Sequence, residues 1–456
     1  MQYFAILLCI LLSAVSCNLQ EEPTQLTKVI ATDTEEITIV YNKQLIPWSV
    51  AEDDLSFPYN GDFNEIGFIT STDTVSFKLF PADTIPLQFI LNKRDTIKAA
   101  AIGQAKPANF SKGYIDQNTG KYQVYSPKVH ELVNISVALT NIGKLDSNMV
   151  YMESDYYKRM RTHFDPYKNH ALIDSLNQHI TEVFGTSTYN YYYNIRMNAC
   201  MYSFDEEQIV NVSPYDRLGF GGENLLTDLL PLLEDFSAIS NFETFYQENE
   251  NYYESLIDTY YELVPIDKMW DWVEAKFPQR YEAYKIYFSP LVNGAHSTPK
   301  FSDNDYKETI MFIDAPTFGD EYTSVEKETI LTRIVFTEID HNYVNPTTDA
   351  FSEIGSLMDP LECWNNGAQG YDSSYFTFNE YMTWAVFTLY LYDNFDTETF
   401  EERNRNEAYF MANGRGFIKY QAFNEVALNW YKRNPDAPLK ELYPVMFEWI
   451  RNEPCD

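Results

Sequence analysis

The sequence predicts an α+β protein, a small N-terminal β domain followed by a larger, mainly helical one. Three observations carry this. First, 456 residues exceed one ordinary hydrophobic core, so at least two domains are expected. Second, from about 35 to 105 the apolar residues alternate in β-branched and aromatic runs, ITIVY, VSFKLF, LQFILN and TIKAAAI, broken by Pro, Asp and Asn turns. Third, beyond about 107 the period lengthens: Val129, Leu132, Val133 and Val137 fall at helical spacing. The stretch PANFSKGYIDQNTGKYQVYSP, with Gly113 and Asn118-Thr119-Gly120, is the boundary, so the β-sandwich-like domain is placed at 35–106 and the helical domain at 107–456.

Each element follows from its own pattern. Further helices are expected near 171–184, 224–235, 251–263 and 268–278, and two strand-like runs, YKIYFSPL (284–291) and ETIMFIDAP (308–316), come before the longest helical stretch. No repeat of the length used by helical solenoids stands out. With 45% apolar and 16% aromatic residues, 36 of them Tyr and 31 Phe, there is ample material for burial. A formal net charge of −34 repels phosphate backbones and excludes nucleic acid as a partner class.

The N-terminus reads as an address. Residues 3–15, YFAILLCILLSAV, are apolar but too short to span a bilayer, and small residues follow before Cys17, as in a secretory signal. Ala14-Val15-Ser16-Cys17 resembles a bacterial lipobox. That resemblance implies a signal peptide at 1–16, an acylated Cys17 and a linker over 17–34, with the membrane reached through the lipid anchor only. An ordinary cleaved signal peptide is the alternative. Gln20-Glu21-Glu22 resembles the acidic export tag of Bacteroidota surface lipoproteins, which implies the cell envelope, at the outer membrane or cell surface. Of the remaining cysteines, Cys200, Cys363 and Cys455, an oxidising envelope permits a Cys363–Cys455 bridge without the sequence establishing it.

The chemistry concentrates in FTEIDHNYVNP, residues 336–346. Thr323 or Ser324 caps a helix with Glu326 and Glu328 in its first turn, and Pro346 is expected to end it near Tyr343. Ile330, Ile334, Thr337 and His341 share one stripe. Histidine at 337 would complete the HExxH motif, in which two imidazoles bind zinc and the glutamate takes a proton from metal-bound water. Here Glu338 stands at the base position and His341 at the second ligand, but Thr337 brings a neutral hydroxyl, a poor zinc donor. Asp340 falls off the stripe and is expected in solvent. Downstream, FTFNEYMTWAVFTLYLYD provides Glu380 as a third ligand, although Thr377 and Glu380 also fit a capping box. His296, in GAHSTP, is either a substitute ligand or an exposed loop histidine; the other histidines, His130, His163, His170 and His179, form no ligand-spaced cluster.

HNYVNP after the glutamate helix resembles the H-E-F-S-H-S-F-V-N-P segment of an uncharacterised group of bacterial, often Bacteroidota, lipoproteins with gluzincin-like features. PKVHELVNISVALT (127–140), KIYFSPLVNGAHSTPKF (285–301) and the ending GFIKYQAFNEVALNWYKRNPDAPLKELYPVMFEWI (416–450) are similar to the same group. The resemblance implies a zincin-like domain over 107–456, His341 and Glu380 as metal ligands, Glu338 as catalytic base, and a peptide or protein as substrate or ligand. The group's first histidine falls on Thr337, so zinc is weakly held or absent, and the enzyme class is left between an active metallopeptidase and an inactive pseudopeptidase. A third reading is a glycan-binding surface lipoprotein, with TYNYYYN (188–194) and MWDW (269–272) as a stacking platform.

Overall fold

Alternation of apolar and polar residues at period two gives the N-terminal unit its strands, and a switch to helical period gives most of the rest, so that the computed structural model is α+β. It describes residues 27–41, 44–49, 55–57, 64–79, 84–103, 107–181, 187–219, 223–318, 321–368 and 371–455. Residues 1–16, expected to be a signal peptide, and Cys17 lie outside the described residues. The chain divides into two units, 1–106 and 107–456.

In the first unit the strands are β1 (Lys28–Thr32), β2 (Glu36–Tyr41), β3 (Gln44–Ser49), β4 (Leu55–Phe57), β5 (Asn64–Ile69), β6 (Thr74–Leu79), β7 (Thr84–Leu91) and β8 (Asp95–Gly103). They form two four-stranded sheets, ordered β1-β7-β8-β4 and β3-β2-β5-β6. Their apolar faces meet: Trp48 of one sheet lies 5.4 Å, centroid to centroid, from Phe89 of the other, and Phe68 lies 5.5 Å from the same ring. Part of the stretch expected to be a linker, 17–34, is in fact strand β1. Ile30 and Thr32 alternate inward there, and the strand runs parallel to β7.

The second unit is built on a sheet of β9 (Lys121–Tyr125), β12 (Ala283–Ser289), β13 (Lys300–Asp303) and β14 (Tyr306–Asp314), with a separate hairpin of β10 (Tyr202–Asp205) and β11 (Gln208–Asn211). The order is β13-β14-β12-β9; β9, β12 and β14 are parallel and β13 is antiparallel. Every residue of β12 is buried, as a parallel strand covered on both faces requires. Alternate side chains serve two cores. Tyr284, Ile286 and Phe288 pack with the C-terminal helices, whereas Ala283 and Tyr287 pack with the Lys128–Leu139 helix and its neighbours.

The helix carrying the motif, here the central helix, spans Ser324–Thr348. Its start matches the expected cap: Thr323 Oγ1 accepts from the Glu326 N–H at 3.2 Å, and the Glu326 carboxylate accepts from the Thr323 N–H at 2.8 Å. Its end does not match, because the helix runs straight through Pro346. Proline removes the N–H that the Asn342 carbonyl would have received. The Tyr281 hydroxyl donates to that carbonyl instead, at 3.0 Å, and the backbone is satisfied. Against the central helix lies a second helix, Ser374–Asn394, here the carboxylate helix, capped by Ser373. Glu380 therefore stands inside its body rather than in a capping box.

Asp340 also departs from expectation. It is fully buried, in the core beneath the central helix, and neither carboxylate oxygen has a hydrogen-bond partner. Burial, reinforced by Glu380 and Glu338, pushes its acid far above the usual range, so it is held neutral.

Candidate functional site

The stripe on the central helix opens onto a cleft of about 650 Å³. Thr337, Glu338, His341, Glu380 and His296 all line it, so residues separate in sequence come together. Helical spacing aligns Thr337 and His341. The packing of the two helices adds Glu380, and the loop after β12 adds His296.

Their chemistry is uneven. Thr337 Oγ1 donates back to the Arg333 carbonyl at 2.9 Å, as threonine in a helix commonly does. His341 Nε2 lies 3.7 Å from Glu380 Oε2, and its Nδ1 lies 3.3 Å from Thr383 Oγ1 and 3.4 Å from Asn345 Oδ1. His296 Nε2 faces Asp314 Oδ1 at 3.3 Å. Burial alone would lower this imidazole, but Asp314 reverses the effect and holds its pKa above the ordinary value. Burial pushes the Glu338 carboxyl up; His341 and His296 oppose the shift, and Glu380 and Asp314 add to it.

Glu380 is the most firmly held of the five. Arg415 Nη1 pairs directly with its Oε1, and Trp384 Nε1 donates to the same oxygen at 2.8 Å. Burial would raise this acid, but Arg415, with His341 and Trp384, holds it below the usual carboxylate range. Arg415 reaches Glu380 from a π-helical turn, Phe410–Gly414, a type of local distortion often found at functional sites. Gly416 seats that turn: it has φ +87°, its carbonyl accepts from the Asn366 N–H at 2.8 Å, and a side chain there would meet the Asn366 carbonyl at 2.5 Å. The second amino group of Arg415 donates to the Tyr371 hydroxyl at 2.8 Å.

This donor set does not fit a catalytic zinc. Such a site uses three protein ligands and an open position. Among the described residues no group of three or more His, Cys, Asp or Glu is placed to hold a metal. Thr337 is spent on the backbone, and one oxygen of Glu380 is committed to a guanidinium, whose charge also opposes a second cation nearby.

Sequence reasoning missed the cationic and aromatic half of this cleft: Arg333, Arg415, Tyr371, Trp384 and Phe410. Arg415, between Gly414 and Gly416, leaves only a faint local mark, and its partner lies 35 residues earlier. The aromatic clusters take ordinary packing roles for the most part. Tyr192 is buried, and Tyr191 stacks on His179 at 4.6 Å. Trp270 packs edge-on against Tyr284 at 4.5 Å, and Trp272 donates to Asp393 at 2.8 Å. Among the described residues of these clusters, only Tyr193 lines the cleft.

A disulfide joins Cys363, in the loop that leads to Gly367, Ala368 and Tyr371 on the cleft wall, to Cys455 near the C-terminus; Cys200 is a buried free thiol. Among the described residues no helix is long and apolar enough to cross a membrane. Set beside known proteins, the chain matches no family model, no curated protein and no solved structure.

Proposed function

We propose that this protein is an envelope lipoprotein whose second unit is a zincin-like pseudopeptidase, using its cleft to bind a peptide or protein segment without hydrolysing it. The observation that carries this reading is the replacement of a metal by an arginine. Where a zincin would present two imidazoles and a carboxylate to zinc, this cleft presents Thr337 turned onto its own helix and Glu380 neutralised by Arg415. The positive charge that keeps a buried carboxylate tolerable comes from the chain itself, so the site is electrostatically complete without an ion. Without a metal to lower the pKa of a bound water, Glu338 has no activated nucleophile to deprotonate.

Two further observations support the same reading. The cleft is large enough for a few residues of peptide and is lined by both aromatic and hydrogen-bonding groups, the usual make-up of a ligand site. The Cys363–Cys455 disulfide suits an oxidising compartment, which agrees with an anchored Cys17 and an envelope location.

The test is the metal content of protein purified without chelator, alongside His341→Ala, with peptide hydrolysis and peptide binding measured on the same samples. Binding that is indifferent to chelator, with zinc far below one per chain in both proteins, is the expected result. Stoichiometric zinc that disappears in His341→Ala, together with cleavage, would overturn the proposal and restore an active metallopeptidase.

A further inference from the structure

Two guanidinium groups line one cleft in a chain that has 33 basic against 67 acidic residues. They are not equivalent. Arg415 is fully engaged, with Glu380 on one amino group and Tyr371 on the other. Arg333 is paired through one amino group only, and among the described residues its other guanidinium nitrogens make no hydrogen bond. Its one ionic partner is Glu407, at 3.6 Å, outside hydrogen-bond reach. Burial pushes the Glu407 acid up, and Arg333 and Arg403 oppose that shift. Arg333 is therefore the cation of the cleft with donors to spare.

Its position is also distinctive. The Arg333 guanidinium carbon lies 5.8 Å from the centre of the Trp384 ring and 5.9 Å from that of Phe410, while Arg415 lies 5.5 Å from Trp384, so both cations lie against one indole. Stacking of this kind fixes the plane of a guanidinium and leaves its edge free to donate. Arg333 and Ile334 also line a second cavity, of about 430 Å³, next to the first. A chain passing from one cavity to the other runs over this pair.

We propose that the cleft recognises a peptide carrying a carboxylate, which the fork of Arg333 takes in two parallel hydrogen bonds beside Trp384. The proposal rests on the binding function given above and names the chemistry of its ligand. The unpaired edge of one fork matches one carboxylate. A doubly charged group such as phosphate would share a wall with Glu380 and Asp314, with only Arg333, already paired on one side with Glu407, to balance it. The carboxylate has two sources, an acidic side chain or the C-terminus of the peptide. Trp384, Phe410 and Ile334 give the ligand an apolar floor on either side of the charge.

The experiment uses an array of acetylated heptapeptides made in matched pairs: Asp or Glu against Asn or Gln at each position, and a carboxylate against a carboxamide end. Affinities are measured for the full chain, Arg333→Gln and Arg333→Lys, with thermal unfolding as the check that each variant is folded. Acid members should bind about tenfold or more tightly than their amide partners, as expected of a charge-assisted pair. Arg333→Gln should erase the difference and Arg333→Lys should keep part of it. The array position at which the difference appears separates side chain from C-terminus. If acid and amide partners bind alike, or their difference survives Arg333→Gln, carboxylate recognition is wrong while the binding cleft stands. If no peptide binds at all, the binding reading and this inference fall together.

Discussion

Two buried carboxylates in the second unit have each acquired a cation and an uncharged aromatic donor, and they do different things. Glu308, on β14, is fully buried, and Lys285, on β12, lies 3.6 Å away with its side chain 6% exposed. Tyr114, Tyr215 and Tyr306 all donate to Glu308, and Lys285 donates to Tyr114 and Tyr215. Burial lowers the Lys285 pKa and Glu308 opposes that shift. Glu380 is held by Arg415 and Trp384, with Tyr371 accepting from the second amino group of Arg415, but Arg415 is 22% exposed and the group faces a cleft. The chemistry of the pair is the same. Access decides its role: the sealed network ties a helix, a loop and two strands together, whereas the open one supplies a charged wall.

The contrast can be broken from its sealed side first. Glu308→Ala leaves a buried ammonium without its anion and should destabilise by about 3–5 kcal/mol, read from the urea midpoint. Replacing both partners, Lys285→Met with Glu308→Leu, should recover most of that loss, because two apolar side chains remove the desolvation cost together.

A sealed acid with no cation sharpens the comparison. Glu131 accepts from the Tyr156 hydroxyl at 2.6 Å, and burial pushes its pKa up to about 7. Its folded value lies above the unfolded value of about 4.5, so its stabilising contribution is complete below that value and is lost as pH rises through 7. Glu131→Gln should flatten the pH dependence of stability between those limits, by on the order of 3 kcal/mol. A profile unchanged by the substitution would contradict the burial argument.

The open pair should respond less and with the opposite sign. Glu380 is held below the ordinary carboxylate range, so its contribution is present above the unfolded value and is lost as pH falls through the folded one. Glu380→Gln should cost about 1–3 kcal/mol at neutral pH and remove that acid-side slope, since Arg415 retains partial access to water. The smallest effect on stability, and the most informative about ancestry, concerns metal. Thr337→His alone should gain little zinc while Arg415 occupies Glu380; Thr337→His with Arg415→Met should approach one zinc per chain by elemental measurement. Full loading of the single variant would mean that Arg415 is not the obstacle.

Much of the fold was legible because it rests on local rules. Two-residue alternation marks the strands of the first unit, and the capping box at Thr323 and Glu326 marks the start of the central helix. Four-residue spacing puts Thr337 and His341 on one face, and His296 and Glu380, named from sequence, reach the same cleft. Three features were not legible, each because the decisive partner is distant. The helix continues through Pro346 because Tyr281 supplies the missing donor. Asp340 is buried because its side of the helix also meets a core, which its acidic character gave no reason to expect. Glu380 belongs to Arg415 rather than standing ready for a metal because a turn seated on Gly416 brings the guanidinium in.

The amino-acid order by itself determined the α+β class, where the central helix begins, and the face on which a threonine stands in line with a histidine, since backbone geometry and side-chain period are properties of neighbours. Tertiary structure alone decided which charges meet. Coulomb attraction between buried groups depends on distance and dielectric, and both exist only once helices far apart in the chain have packed.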